Sequence, residues 1–152
     1  MSEEIYLLEI ENIKFEEKFK PEVYTCSEGH ATQGYGTKLP LTQYEQGKVK
    51  NLKKWTKEES EFLLEYRLRI ASRAIRSAKP IVEKLDETRQ RVIFHMCYQM
   101  GVPGVVLFKL MWKALEAGNY AIAADEMKDS KWFYQTPARA KRLINRMLDG
   151  LN

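Results

Sequence analysis

The residues best suited to chemistry lie in one stretch, Glu17 to Gly36, which reads E-K-F-K-P-E-V-Y-T-C-S-E-G-H-A-T-Q-G-Y-G. A carboxylic acid (Glu17), a thiol (Cys26) and a hydroxyl (Thr32) follow one another with eight and then five residues between them. A carboxyl kept partly dry favours its protonated form, which is what a general acid near neutral pH requires. A thiol and a hydroxyl facing it can position or activate a water, or the sulfur can attack directly, although an ordinary thiol is mostly protonated at neutral pH. Such a set suits cleavage of a glycosidic bond.

The flanking elements explain how these groups could meet. Stepped at about 100° per residue, a helix over Tyr6 to Glu17 puts Tyr6, Ile10, Ile13 and Glu17 on one stripe. Glu9, Glu11, Asn12 and Glu16 fall off it. Glu17 thus takes a position where the pattern calls for an apolar residue; the alternative is a helix that ends a turn earlier and leaves Glu17 solvated. Phe19 to Thr25 reads as a strand, Ser27 to His30 as a turn with Gly29 at φ > 0, and Ala31 to Tyr35 as the returning strand. Gly34 and Gly36 flank Tyr35, which suggests backbone kept clear for a close approach. The hairpin carries Cys26 toward Thr32, with both facing the end of the helix.

These residues resemble the active-site motif of the phage-type lysozymes, endolysins that cut bacterial peptidoglycan. That motif is Glu, eight residues, Asp or occasionally Cys, five residues, Thr. The surrounding frame is matched by Tyr24-Thr25-Cys26 and by Gly29-His30-Ala31-Thr32-Gln33-Gly34-Tyr35-Gly36. Lys18 stands where the family has Gly, and Thr37 where it often has His. The resemblance extends to Tyr98-Gln99-Met100-Gly101 and to Ser130 through Arg142, and so covers nearly the whole chain. It implies a muramidase that hydrolyses the β-1,4 link between N-acetylmuramic acid and N-acetylglucosamine. Glu17 would be the general acid, with Cys26 and Thr32 at the water. Tyr98, Gln99, Gly36 and Lys38 would contact substrate; Arg139 would pair with the acid and Trp132 would pack behind the sugar site. The missing Asp, Lys18 and Thr37 also suit an alternative, a wall-binding relative with little or no turnover. The implied setting is phage lysis of a bacterial host. The enzyme would be made in the host cytoplasm and reach the wall through a membrane pore formed by another protein.

Composition fits these expectations. With 152 residues, 44% hydrophobic and 30% charged, the chain can bury a core and is not of disordered type. No apolar run approaches the roughly 20 residues of a membrane span, and no basic-then-apolar leader opens the sequence. Two Cys, Cys26 and Cys97, make no disulfide framework, and two distant His make no metal cluster, so neither metal nor cofactor is expected. The net charge of +4 is gathered after residue 55. It suits an anionic wall polymer, nucleic acid or no partner at all. The basic run from Arg139 to Arg146 lacks base-reading motifs. Peptidoglycan is the expected partner of a monomer, without nucleic acid or stable membrane association.

The expected fold class is α+β, mainly helical and lysozyme-like. A small three-stranded antiparallel sheet lobe (15–56) is joined by a long helix (57–79) to an all-helical lobe (80–152), within one domain, 1–152. Thr37 to Leu41 supplies the third strand, and 42–55 a loop or short helix. Thr56 and Glu59 form a capping box for the long helix, which Pro80 stops. Asp86 caps a helix to Met100, Phe108 to Ala117 forms another, and Asn119 caps a third through Met127. Thr136-Pro137 is read as N-cap and first helical residue, with Gly150 closing the last helix. His95 and Cys97 are read as core.

Overall fold

The first helix shows how the sequence pattern becomes burial. The computed structural model describes residues 3–151, and α1 runs Glu3–Glu17. Tyr6, Ile10 and Ile13 are buried as the stripe requires, and Glu17 is half-buried. The buried face is wider than that stripe, which corrects the reading of Glu9. Ile5 and Glu9 share the face and are buried, and Asn12 Nδ2 donates to Glu9 Oε1 at 3.4 Å. A single row of four residues describes a narrow seam, whereas a helix covered on one side buries a broader arc.

A hairpin follows. Strands β1 (Lys20–Thr25) and β2 (Ala31–Gly34) are antiparallel, and β3 (Thr37–Lys38) pairs with β2 on its other edge. The order is β1-β2-β3, so β2 is central. The third strand is shorter than the expected Thr37 to Leu41, because Pro40 has no N–H with which to extend the ladder. The short helix α2 (Gln43–Gln46) is capped by Thr42, whose hydroxyl accepts from Glu45 N while Glu45 reaches back to Thr42 N. Helix α3 (Lys57–Ala78) starts at the expected capping box. Thr56 Oγ1 accepts from Glu59 N at 3.1 Å, and Thr56 N donates to Glu59 Oε1 at 2.9 Å.

The chain divides into two compact units, Met1–Arg69 and Ile70–Asn152, with the boundary inside α3. In the first, Val49, Trp55 and Leu63 form a buried cluster with Leu39 and Leu41 packed against it. Glu45 is also buried there, held by Arg67 through Nε at 2.7 Å and Nη2 at 3.0 Å. Burial alone would push this carboxyl up, but the bonds from Arg67 and Thr42 outweigh it and hold Glu45 below its ordinary value.

The second unit is helical. A 3-10 turn at Pro80–Lys84 leads to α4 (Glu87–Met100), whose cap Asp86 accepts from Arg89 N. There follow α5 (Val102–Val106), α6 (Lys109–Glu116), α7 (Tyr120–Lys128), α8 (Lys131–Gln135) and α9 (Pro137–Asp149). Asn119 caps α7 as expected, and Gly150 ends α9 in the left-handed region. Helices α5 and α8 are too short to show a period and were not anticipated. Thr136 is the N-cap residue of α9 and Pro137 its first helical residue, as expected, but the Thr136 side chain makes no capping bond. Its hydroxyl instead donates to Trp132 O and accepts from Gln99 Nε2. The core of this unit includes Val92, Ile93, Met96, Met111, Trp112, Met127, Leu143 and Met147. Among the described residues no helix is long and apolar enough to cross a membrane.

Candidate active site

Glu17 is the last residue of α1, and the next residue turns the chain. Lys18 takes φ 60°, a left-handed conformation that suits the Gly found there in the resembled family, and its N–H donates to Lys14 O at 2.9 Å. The departure from Gly thus leaves the turn in place, with strain carried by a side chain. The turn sends the chain into β1, with Phe19 packed against Tyr35 at 5.6 Å between ring centroids.

The glycines around Tyr35 have identifiable neighbours. Gly34 has φ 70°, and a Cβ there would lie 2.8 Å from Trp55 and 2.9 Å from the Ser60 hydroxyl. Gly36 has φ 79°, and a Cβ there would overlap the carboxyl group of Glu17, with Glu17 Cγ at 2.8 Å. The approach that the glycine pattern anticipated is therefore made at Gly36 by the acid itself.

Cys26 and Thr32 converge on a single acceptor, the carbonyl of His30. Cys26 N donates to it at 2.9 Å and Thr32 Oγ1 donates to it at 2.8 Å. Gly29 N closes the turn onto Cys26 O at 2.9 Å. Thr32 lies in the central strand, opposite Tyr24 on β1 and Lys38 on β3. Its proton is committed to His30, so toward any further partner its oxygen acts as an acceptor. Lys38 Nζ pairs with Glu28 Oε2 at 3.1 Å, which ties β3 to the β1–β2 turn. The first unit therefore gathers Cys26 and Thr32 on the hairpin and Lys38 on the adjoining β3, with Glu17 against Gly36 just beyond β2. Sequence reasoning missed Glu28 and the carbonyl of His30; a backbone acceptor leaves no trace in residue type.

In the second unit, Gln99, Trp132 and Arg139 lie at the contact of α4 with the α8–α9 junction. Trp132 Nε1 donates to Gln99 Oε1 at 2.9 Å, and Gln99 Nε2 donates to Thr136 Oγ1 at 3.2 Å. Gln99 is buried, and both atoms of its amide are engaged within the second unit. Trp132 is buried and meets Phe108 edge-on at 6.4 Å. Tyr98 is half-buried beside Gln99 on α4. Arg139 Nε donates to His95 Nε2 at 3.0 Å. His95 was read as core, and it is buried, but it also accepts from a residue assigned to the site.

A small antiparallel sheet preceded by a helix with a terminal acid, in a chain otherwise built of helices, is a lysozyme-like α+β fold. The chain matches the family model described as phage lysozyme over residues 14–149, and it belongs to that family. It is similar to "Probable T4-type lysozyme 1" of Dictyostelium discoideum, at 33% identity over 151 aligned residues covering 88% of this chain and 89% of that one. "Probable T4-type lysozyme 2" of the same organism is 31% identical, with the same coverage. The "Pre-baseplate central spike protein Gp5" of Enterobacteria phage T4 is 32% identical over 157 aligned residues. That alignment takes in 92% of this chain but 27% of the spike protein.

Proposed function

We propose that this chain is a muramidase that hydrolyses the β-1,4 bond between N-acetylmuramic acid and N-acetylglucosamine in peptidoglycan. The observation that carries the reading is the seating of Glu17 against Gly36, beside a hairpin on which Cys26 and Thr32 share the His30 carbonyl. Family membership and the lysozyme names of two relatives support it.

Glu17 donates its proton to the leaving glycosidic oxygen as the bond to the anomeric carbon breaks. A water attacks that carbon. Thr32, its own proton engaged, accepts a hydrogen bond from the water and so turns a water lone pair toward the sugar. Cys26 polarises the same water, whose proton passes to solvent as the new C–O bond forms, and Glu17 takes a proton back from solvent before the next turnover. Water attack inverts the anomeric centre, whereas direct attack by sulfur would retain it. Gly36, Lys38, Tyr98 and Gln99 are assigned to the glycan. Arg139 and Trp132 take the supporting roles that the family resemblance implies.

Release of muropeptides from purified peptidoglycan tests the reading, with Glu17→Gln as the comparison. Wild type should release them and the variant should not; equal release would remove Glu17 from the acid's role. NMR of the fresh product gives the anomer and separates the two routes. Sedimentation with peptidoglycan without product would favour the wall-binding alternative. The proposed setting is phage lysis of a bacterial host, by a monomer that needs a separate pore to reach the wall. Added from outside, it should clear permeabilised bacteria and leave intact Gram-negative cells standing.

A further inference from the structure

Helix α4 grips the α8–α9 junction at two places one turn apart. Gln99 holds Trp132 and Thr136, and His95, four residues earlier on the same face, holds Arg139. The chemistry of the second grip dictates a protonation state. A guanidinium presents N–H donors alone, so the nitrogen that receives Arg139 Nε must carry a lone pair. An imidazolium has none to offer. The bond of 3.0 Å to His95 Nε2 therefore requires a neutral ring with its proton on Nδ1. His95 is 1% exposed, and a protonated Nε2 would place two cations donor to donor in a poorly solvated site.

The charged groups on the elements around His95 are largely basic. Arg91 is buried one turn earlier on α4. The guanidinium of Arg76 in α3 lies 5.9 Å from the ring of Phe94, the neighbour of His95 in sequence. Besides Arg139, α9 carries Lys141, Arg142, Arg146 and Asp149; α5 carries no ionisable side chain; Glu83 and Lys84 of the 3-10 turn are exposed.

We propose that His95 is a positioning residue, which acts through its neutral Nε2 to set the direction in which the guanidinium of Arg139 points. Arg139 carries a long side chain at the start of α9, and the acceptor on its Nε helps to fix the plane of its fork and so the aim of its remaining donors. The consequence for catalysis rests on the muramidase reading; the tautomer and its dependence on Arg139 do not.

Two measurements on the full-length protein test this. Nitrogen-15 NMR of the histidine rings should show His95 neutral at pH 7, protonated at Nδ1, with an Nε2 shift typical of an acceptor. That shift should move in Arg139→Leu. An imidazolium, the opposite tautomer, or an Nε2 unmoved by Arg139→Leu overturns the proposal whether or not the protein cleaves peptidoglycan. The second measurement compares muropeptide release by His95→Gln, which keeps an acceptor of similar reach, with His95→Leu, which fills the space without one. Glutamine should stay within about threefold of wild type, and leucine should lose about tenfold or more in kcat with KM little changed. Equal retention or equal loss in the two variants shows that packing, and not the acceptor, is what His95 supplies.

Discussion

The backbone of Gly36 lies so close to the carboxyl of Glu17 that a single added methyl would overlap it. The acid is thus set by a glycine nineteen positions downstream. Alanine at Gly36 has to displace Glu17 or the turn, and it also places a side chain at φ 79°. We expect Gly36→Ala to lose about 1–3 kcal/mol of stability and on the order of 10²-fold in muropeptide release. Gly29→Ala is the control: its φ is 84°, but a Cβ there meets nothing within 4 Å. It should show the strain without displacing the acid. Equal activity loss in both variants would detach the effect from Glu17.

The buried Glu45 is stable as an anion because of Arg67 and the Thr42 amide. Removing the cation in Arg67→Met leaves an uncompensated buried charge, and should cost about 3–5 kcal/mol at pH 7. The sign with pH follows from the direction of the shift. Glu45 titrates below its ordinary 4.5 in the folded chain. Its contribution is therefore complete above that pH and declines as the pH falls through the lower folded value. Chemical denaturation of both proteins from pH 7 downward checks this. The gap between them should narrow in acid, and a constant gap would mean the charge on Glu45 is not involved.

Thr37 is fully buried, and its hydroxyl has no hydrogen-bond partner among the described residues. A buried hydroxyl left unpaired loses its water for nothing in return, whereas a methyl of the same shape does not. Valine also suits a strand. Thr37→Val should therefore raise stability by about 1 kcal/mol, or roughly 2–4 °C in Tm for a chain of this size. A lower melting temperature would show that the hydroxyl is satisfied in solution.

The two thiols should behave differently. Burial pushes Cys97 up to about 12 and leaves it 3% exposed, whereas Cys26 is half-buried at the hairpin bend. A disulfide reagent at pH 8 should therefore titrate one thiol in the folded protein and the second only on denaturation. Modification of that first thiol should track the loss of muropeptide release. Cys26→Ser should lose most activity and Cys26→Asp keep much of it. Full activity in the serine variant would leave the sulfur without a chemical role.

What the sequence determined by itself was local. The Glu17–Cys26–Thr32 spacing, the hairpin, the caps at Thr56, Asp86 and Asn119, and the break at Pro80 are all legible because each depends on residues a few positions apart. Helix periodicity placed Tyr6, Ile10 and Ile13 inside for the same reason, yet it missed the burial of Glu9, since the width of a covered face depends on what covers it. Tertiary structure alone decided that Gly36 makes room for Glu17, that Arg67 neutralises Glu45, that the Thr136 hydroxyl serves Gln99 and Trp132 instead of its own helix, and that His95 faces Arg139. Apart from the short Thr136–Trp132 bond, each of those choices joins residues separated by between 19 and 44 positions. Residue type can show that a polar group must find a partner once it is buried, but only packing brings that partner within bonding distance.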